Sequence, residues 1–374
     1  MTVRLLYLVS HPIQYQAPLL RLIAADPEIR LRVVFERVDT TEGYFDTGFA
    51  RWLKWDVPLR DGYDSAAIAE TDLERELAAA DAVWLHGWQS PLFRQLLGKA
   101  RRRGIPVLMR GENWDGAMPD GSGLRGLAKR LYLGHVFRHC TGFLTIGSRN
   151  RAYYLSHGVA AERLFAVPYA IDNDAFAAAA AAARPGRAAL RQSLGLAPDR
   201  PILLYASKLI ARKHPDWLVE AWRRAPWPDG RRPLLLFVGD GPLRAGLEAD
   251  PDPDIHFLGF RNQSELPAFY DLADVFALPA EAEPWGLVVN EAMACGTAVV
   301  ATDQVGAAHD LLDDGRGGAM VPAGDLDALA SALVRVQADA AAMGEAARAK
   351  VAATSFAADL AGLRQALAWL NRRS

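Results

Sequence analysis

Two glutamates, Glu283 and Glu291, stand eight positions apart in the segment AEAEPWGLVVNEAMACGTAVVAT, and both could take part in chemistry. Pro284, next to the first, suits the first turn of a helix, where its missing N–H costs no hydrogen bond. Gly296 suits the position just past a helix end, where a left-handed conformation is needed. This spacing predicts a helix over 287–294, with the first glutamate in the preceding loop and the second on the helix.

The start of this helix offers hydrogen-bond donors as well as a carboxylate. The N–H groups at Trp285, Gly286 and Leu287 have no partners within the helix and can bind an anion or a polar ligand. Glu291 has mainly apolar neighbours, and it can accept two hydrogen bonds from a diol such as a ribose, each contributing roughly 1.5–3 kcal/mol. Because Glu291 lies roughly 80° beyond two full turns, it shares a side with Glu283 only loosely. The alternative is a solvated helix face without a ligand.

Length and composition favour two domains in a reducing compartment. The chain has 374 residues, 51% of them hydrophobic, which is enough for a sizeable core. A net charge of −2 argues against a nucleic-acid partner, which requires a broad basic face. Cys140 and Cys295 lie far apart and suggest no disulfide framework, and no His/Cys cluster has zinc spacing. We therefore expect a cytoplasmic protein with no metal site, signal peptide or transmembrane span.

Polar side chains follow the predicted strands of the first half where each strand ends. The apolar run over 3–9 begins a strand–loop–helix pattern typical of a doubly wound α/β sheet, in which ligands collect at the carboxyl ends of strands. No glycine-rich phosphate loop follows this run. Later strands end at His86, and at Arg110 with Glu112, so these three residues are site candidates. A purely structural role is an equally good interpretation of His86.

Two further stretches of the first half leave alternatives open. The aromatic residues between Tyr44 and Tyr63 have no clean period. They indicate either a binding surface for sugars or lipids or a hydrophobic cluster under a loop. A predicted basic amphipathic helix over 127–140, with the basic residues at 99–103, can attract an anionic lipid surface. A solvated helix face is the simpler interpretation of that charge.

The second half restarts the strand–loop–helix pattern after an alanine-rich stretch. A strand over 202–205 is followed by Lys208 and Lys213. Two cations beside a strand end suit a diphosphate, although alone they would indicate surface charge. A later strand runs into the turn Gly239-Asp240-Gly241, and the next runs into Phe260 and Arg261.

The pattern EPWG, an apolar run and EAMACG over 283–296 resembles the signature of the family 4 retaining glycosyltransferases. Trp285 stands for the usual phenylalanine of that signature, and Ala298 stands for the usual proline. In the family's Gly-Arg-Leu segment Lys208 takes the arginine position, and Lys213 takes that of a following lysine. The turn from Gly239 matches the family's Gly-x-Gly-Pro at the donor cleft.

The resemblance implies an α/β protein of the GT-B fold, with two Rossmann-like domains facing each other across a cleft. We place an N-terminal acceptor-binding domain at 1–172 and a linker at 173–200. A C-terminal nucleotide-sugar-binding domain follows at 201–355. A C-terminal helix at 356–374 would pack back on the N-terminal domain.

The resemblance also implies a role for each site residue. Glu291 would hold the ribose hydroxyls, and Glu283 the sugar hydroxyls, assisted by backbone groups around Trp285 and Gly286. Lys208 and Lys213 would neutralise charge on the leaving diphosphate without a metal or other cofactor. Gly239 and Gly241 would lie at the donor cleft, where the N–H of Leu287 could also meet the ligand. Phe260 and Arg261 would lie near the nucleotide base. His86, Arg110 and Glu112 would orient the acceptor or the sugar's 6-position.

The function implied is that of a retaining glycosyltransferase in polysaccharide or glycoconjugate biosynthesis. It would move a sugar from a nucleotide-sugar, with a UDP-sugar favoured, to a glycan, lipid-linked or small-molecule acceptor. The N-terminal domain would carry any peripheral contact with the inner face of the membrane. Two alternatives are a nucleotide-sugar 2-epimerase of the same fold and a non-catalytic nucleotide-sugar-binding protein.

Overall fold

The computed structural model describes residues 2–38 and 41–372, which form two compact units. Unit 1 comprises the chain up to Tyr44, then Val57–Ile171, and the chain from Thr354 onward. Unit 2 comprises Phe45–Asp56 and Asp172–Ala353. Residues 1, 39, 40, 373 and 374 of the predicted domains lie outside the described residues.

Strands and α-helices alternate over most of the chain. The strands are β1 (Val3–Val9), β2 (Ile29–Phe35), β3 (Tyr44–Asp46), β4 (Arg51–Leu53), β5 (Ser65–Ala67), β6 (Ala82–His86), β7 (Val107–Arg110), β8 (Gly142–Thr145), β9 (Leu164–Ala166), β10 (Ile202–Ala206), β11 (Leu234–Val238), β12 (Ile255–Gly259), β13 (Val275–Leu278), β14 (Ala298–Thr302) and β15 (Gly318–Val321). The helices are α1 (Gln16–Ala24), α2 (Leu73–Ala79), α3 (Pro91–Arg102), α4 (Gly123–Arg138), α5 (Ser148–Ser156), α6 (Asn173–Ala183), α7 (Arg187–Ser193), α8 (Pro215–Arg224), α9 (Arg244–Glu248), α10 (Leu266–Leu272), α11 (Leu287–Ala294), α12 (Ala308–Leu311), α13 (Leu326–Ala338), α14 (Ala340–Val351) and α15 (Phe356–Asn371).

Unit 1 contains a parallel sheet in the order β5-β2-β1-β6-β7-β8-β9. All residues of β1 except Arg4 are buried, because a parallel sheet in an α/β protein is covered on both faces. The last helix, α15, contacts β8, β9 and α1, and it adds Leu363, Leu367 and Leu370 to the core of this unit.

Unit 2 contains a second parallel sheet, in the order β12-β11-β10-β13-β14-β15. Its central strands are buried along their whole length, and α8 and α13 contribute to the core on one face. In a parallel sheet every carboxyl end lies at the same edge. That edge collects the loops after β10, β11, β12 and β13.

Two segments differ from the sequence-based domain assignment. Residues 173–200, predicted as a linker, carry the helices α6 and α7 within unit 2, and α6 packs on α10 and α11. Alanine has the highest helix propensity, so the alanine-rich composition is better explained by a helix than by a flexible connection. Residues Phe45–Asp56, predicted within the N-terminal domain, belong to unit 2. We call this segment, whose β3 and β4 pair with each other, the strap.

Candidate functional site

The carboxyl edge of the unit 2 sheet brings together most of the predicted donor-site residues. Lys208 follows β10, the glycine turn follows β11, and Phe260 follows β12. Glu283 lies in the loop between β13 and α11. Residues far apart in sequence therefore share one edge because their strands are neighbours and run in the same direction.

Glycines bring the loops after β10 and β11 into close contact. Gly239 has φ 141°, and an added Cβ would stand 2.0 Å from the carbonyl oxygen of Ser207. Gly241 has φ 155°, and its added Cβ would stand 2.6 Å from the carbonyl oxygen of Leu209. Both backbone conformations exclude other residues, so this turn presses its backbone against the loop that carries Lys208.

Lys213 and Glu283 form a nearly buried ion pair. The Lys213 ammonium contacts Oε2 of Glu283, and their side chains are 8% and 12% exposed. Arg212 Nη1 lies 3.2 Å from the same oxygen. Burial lowers the pKa of Lys213, and the charge of Glu283 opposes this effect. Glu283 is held in turn by a hydrogen bond from its N–H to the carbonyl oxygen of Gln304, at 3.0 Å.

Lys208, the second predicted cation, pairs with the strap. Its Nζ lies 2.9 and 2.8 Å from the two carboxylate oxygens of Asp46. The same Nζ lies 4.9 Å from the ring centroid of Phe49, within range of a cation–π interaction. Sequence reasoning did not identify Asp46, because nothing in the local pattern connects it with a lysine in another part of the chain.

Glu291 is buried on α11, whose bounds match the predicted helix. The hydroxyl of Tyr270 donates a hydrogen bond of 2.8 Å to its Oε2. Burial raises the pKa of Glu291 to about 7, although the hydrogen bond from Tyr270 acts in the opposite direction. The carboxyl group is therefore paired with a neutral hydroxyl, unlike Glu283, which faces two cations. Tyr270 was also missed from the sequence, since it lies on a different helix, α10.

The start of α11 gives Trp285 and Gly286 different roles. Helix α11 begins at Leu287, and Gly286 precedes it with φ 94°, a conformation that favours glycine. The indole of Trp285 is buried and donates a hydrogen bond of 2.9 Å to Oδ1 of Asn290. The side chain of Trp285 therefore stabilises the loop, and its backbone remains the candidate for ligand contact.

Phe260 and Arg261, predicted near a nucleotide base, lie in different surroundings. The ring of Phe260 packs against Phe49 and Trp55 of the strap, with centroid distances of 5.1 and 6.1 Å. Arg261 forms an ion pair of 3.3 Å with Glu265 and lies 5.4 Å from the ring centroid of Phe269. Phe260 is thus the member of the pair that lies beside the strap.

In unit 1, His86 and Glu112 lie together at the carboxyl edge of the sheet. His86 Nε2 is 3.5 Å from Oε1 of Glu112, and its Nδ1 is 2.8 Å from the hydroxyl of Tyr7. Tyr169 donates a 2.5 Å hydrogen bond to the same Glu112 oxygen. Burial opposes ionisation of Glu112, but the hydrogen bonds from His86 and Tyr169 lower its pKa. This pair could orient a hydroxyl group.

The structure corrects the role considered for Arg110. Arg110 is 1% exposed, and its Nη1 lies 3.1 Å from Oδ2 of Asp359 on α15. Its Nη2 donates a hydrogen bond of 3.3 Å to the carbonyl oxygen of Val167, and its guanidinium carbon lies 4.8 Å from the ring centroid of Tyr169. A side chain buried in this way does not contact an acceptor. It positions Tyr169, which in turn holds Glu112.

Within residues 2–38 and 41–372, no group of three or more His, Cys, Asp or Glu side chains is arranged to hold a metal ion. The charged groups found at the edge of the unit 2 sheet include Lys208 and Lys213 with their carboxylate partners, Arg212 beside Glu283, and Asp240 of the glycine turn, which pairs with Arg51 and Arg244. Over the same residues, the structure contains no helix long and apolar enough to cross a lipid bilayer.

Known proteins resemble this chain over part of its sequence and over its whole fold. A D-inositol 3-phosphate glycosyltransferase of Saccharomonospora viridis is 38% identical over 169 residues, covering 41% of this chain and 38% of that protein. A GDP-mannose-dependent alpha-(1-6)-phosphatidylinositol monomannoside mannosyltransferase of Mycolicibacterium smegmatis is 37% identical over 201 residues, covering 49% of this chain and 50% of that protein. The chain thus spans half or less of the length of these relatives.

The sucrose-phosphate synthase of Thermosynechococcus elongatus matches over 100% of both chains, with a TM-score of 0.70 and 20% identity. At this identity the match shows the fold, and it confirms the predicted α/β class of GT-B type. The family model described as Glycosyl transferases group 1 matches residues 200–339, the part of unit 2 that contains both lysines, the glycine turn and both glutamates. Residues 200–339 therefore form a domain of the glycosyl transferases group 1 type, as the sequence resemblance implied.

Proposed function

We propose that the chain is a retaining glycosyltransferase that moves a sugar from a nucleotide-sugar to a glycan, lipid-linked or small-molecule acceptor. The observation that supports this most is the pair of lysines at the carboxyl edge of the unit 2 sheet, next to the glycine turn. Two cations and a closely packed glycine backbone suit a diphosphate. Glu291, on the helix that follows Glu283, suits the ribose of the same ligand.

The proposed chemistry uses these groups as fixed charges. The bond between the anomeric carbon and the diphosphate oxygen breaks while the acceptor oxygen attacks from the same face. Negative charge then builds on the leaving diphosphate, where Lys208 and Lys213 stabilise it, and the acceptor proton passes to the leaving oxygen. Glu283, held in place by Lys213, accepts hydrogen bonds from the sugar hydroxyls. The lysines supply the positive charge, so no metal is required.

The acceptor side of the proposal rests on unit 1. His86 and Glu112 have the polar atoms that orient a hydroxyl, and Arg110 acts on them through Tyr169. The two relatives compared above carry names with inositol-containing acceptors, so we include inositol phosphates among the acceptors to test. We keep a UDP-sugar as the favoured donor, with the GDP-mannose named for one relative as its competitor.

We also propose peripheral contact with a membrane through α4. Leu124, Leu127 and Leu131 of this helix are 86%, 55% and 67% exposed, and its sequence contains no acidic residue. Exposed leucines beside arginine and lysine suit an anionic lipid surface. The basic residues at 99–103 add less than expected, because Lys99 and Arg103 pair with Glu74.

The membrane proposal is tested with sedimenting vesicles. The wild type should bind vesicles that contain phosphatidylglycerol and not vesicles of phosphatidylcholine alone. Leu127→Gln with Leu131→Gln should abolish binding, whereas Leu22→Gln, a change at a less exposed leucine of unit 1, should not. Equal sedimentation of all three proteins would contradict the proposal.

The transfer reaction is tested by product analysis. UDP-sugars and GDP-mannose are incubated with and without acceptors, and a new glycoside should appear only when both substrates are present. A converted donor without acceptor would indicate the 2-epimerase, and binding without any product would indicate a non-catalytic protein. Glu291→Ala should weaken nucleotide-sugar binding by about tenfold or more, equivalent to about 1.4 kcal/mol, with an unchanged circular dichroism spectrum. Unchanged affinity would exclude the ribose role.

A further inference from the structure

Hydrogen bonds join the C-terminal end of the strap to the rest of unit 2. Asn262 donates a hydrogen bond of 2.8 Å from Nδ2 to the carbonyl oxygen of Lys54, and its Oδ1 accepts one of 3.3 Å from the N–H of Asp56. The carboxylate of Asp56 accepts hydrogen bonds from the hydroxyl and the N–H of Ser264. These contacts fix the end of the strap to the loop after β12.

The middle of the strap lies on the glycine turn and on Lys208. An added Cβ on Gly241 would stand 2.9 Å from the carbonyl oxygen of Gly48. An added Cβ on Gly48 would stand 2.6 Å from Cδ of Lys208. The strap backbone therefore contacts the two features to which we assign the diphosphate.

Asp46 presents an anion to Lys208 in a fixed orientation. Its Oδ1 accepts hydrogen bonds of 2.8 and 3.0 Å from the N–H groups of Gly48 and Phe49, and both carboxylate oxygens contact the ammonium. Burial opposes ionisation of Asp46, but the hydrogen bonds from Lys208 and from the two N–H groups lower its pKa. The carboxylate is 12% exposed and stays charged at neutral pH.

We propose that Asp46 competes with the diphosphate of the donor for Lys208, an inference that rests on the proposed function. A phosphate oxygen and a carboxylate oxygen need the same hydrogen-bond directions of the ammonium. A diphosphate beside an ionised carboxylate is also repelled by it. The donor must therefore displace the strap to reach Lys208.

The competition affects product release as well as binding. Asp46 opposes the nucleoside diphosphate product at least as much as it opposes the donor, since both carry the diphosphate and the product bears additional negative charge on its freed terminal phosphate. Return of the carboxylate to Lys208 would shorten the time that the product stays bound, and product release limits the turnover of many enzymes. Removal of the carboxylate should therefore tighten binding of the bare diphosphate and increase product inhibition.

The test is calorimetric titration of the full chain with UDP and with GDP. Asp46→Asn keeps the oxygen that accepts from the N–H groups of Gly48 and Phe49, and it removes the charge that faces Lys208. We expect it to bind the preferred nucleotide about tenfold more tightly than the wild type does. Asp250→Asn is the matched control: it removes one negative charge from an exposed ion pair of unit 2 and should leave the affinity unchanged.

The outcomes separate this inference from the proposed function. If Asp46→Asn binds UDP or GDP more tightly than the wild type does, the result supports both the competition and the proposed function. This holds even if the wild type binds too weakly to measure. Binding by the wild type that Asp46→Asn leaves unchanged or weakens overturns the competition and leaves the proposed function standing. If none of the variants binds either nucleotide, both are overturned.

Limited trypsin digestion gives a readout that a merely structural role for Asp46 would not change. Arg51 and Lys54 offer cleavage sites within the strap. We expect UDP or GDP to accelerate cleavage there in the wild type, because the middle of the strap moves away from Lys208 and the glycine turn. Protection of these sites by the nucleotide would overturn the inference, since it would place the ligand beneath an attached strap.

Discussion

The polar clusters of the two units use similar residues in different ways. In unit 1, Arg110 is 1% exposed and is paired with a carboxylate of α15 inside the core. In unit 2, Lys208 is 32% exposed and is paired with a carboxylate of the strap. Both cations follow or end a parallel strand, the position where ligands collect. The two cations thus differ in exposure and in the origin of the carboxylate that pairs with them: Arg110 is enclosed by the core of unit 1, whereas Lys208 retains contact with solvent.

The comparison is tested most strongly at Arg110. Arg110→Ala leaves Asp359 buried without its cation, and we expect the free energy of unfolding to fall by about 4 kcal/mol. Urea denaturation at pH 8 measures the loss. The double variant Arg110→Met with Asp359→Leu should recover most of it, because an apolar pair needs no desolvation of charge. If Arg110→Ala were as stable as the wild type but inactive, a direct role at the acceptor would be restored.

Lys213 should show the opposite behaviour. Lys213→Met removes a charge proposed to stabilise the leaving diphosphate, and we expect kcat/KM to fall by about a hundredfold. Its stability should change less than that of Arg110→Ala, because Arg212 remains beside Glu283. Lys350→Met, which breaks an ion pair away from this edge, serves as the control and should keep its activity. Full activity of Lys213→Met would remove the distinction between the two units.

A change at His86 tests whether the pair of His86 and Glu112, which is less deeply buried than Arg110, serves the acceptor. His86→Ala should raise KM for the acceptor by about tenfold, since it loses one oriented polar contact. The dissociation constant for the donor nucleotide, measured by titration, should stay the same. A change in nucleotide affinity without a change in acceptor KM would place His86 on the donor side.

The smallest expected effect is a pH dependence that distinguishes Glu291 from Glu283. Burial raises the pKa of Glu291 to about 7, and ribose hydroxyls need the ionised carboxylate as acceptor. Nucleotide affinity should therefore rise about fourfold between pH 6.5 and 8, following the ionised fraction. Titrations at both pH values measure this rise. It should be absent in Glu291→Gln.

The free energy of unfolding should also depend on the ionisation of Glu291, but it should fall with rising pH, whereas nucleotide affinity should rise. The unfolded chain releases the Glu291 proton at a lower pH than the native protein does. The free energy of unfolding should therefore fall as pH rises between about 4.5 and 7. Glu291→Gln should remove this part of the slope. A wild-type slope that Glu291→Gln leaves unchanged would show that another group causes it.

How far the sequence predicted this structure depends on the distance between interacting residues. The helix over 287–294 was predicted with its observed bounds, because Pro284 and Gly296 mark its ends locally. The position of Lys208 at the carboxyl edge of the sheet was predicted from the strand that precedes it and from the family resemblance. The pairing of Arg110 with Asp359 could not be predicted, because the periodicity of a strand or helix gives no information on its distant partner.

The contacts of the strap with distant residues could not be predicted from the sequence either. Its aromatic residues were considered as a binding surface or as a cluster under a loop, and Phe49 and Trp55 do pack together against Phe260. Their attachment to unit 2 depends on hydrogen bonds with Asn262 and Ser264, which lie far along the chain. The composition of the segment indicated that these aromatic residues would pack together or bind a ligand, but it did not indicate which part of the protein they would contact.

The last segment of unit 1 follows unit 2 in the sequence, and this order has a consequence for synthesis on the ribosome. Unit 1 needs α15, which carries the partner of Arg110 and part of the apolar core. Domains fold in order as the chain emerges at about 5–20 residues per second, so the sheet of unit 1 must wait some tens of seconds for its last helix. During that interval its apolar surface is uncovered and Arg110 has no carboxylate from α15. We expect the nascent chain to depend on chaperones most strongly in this period.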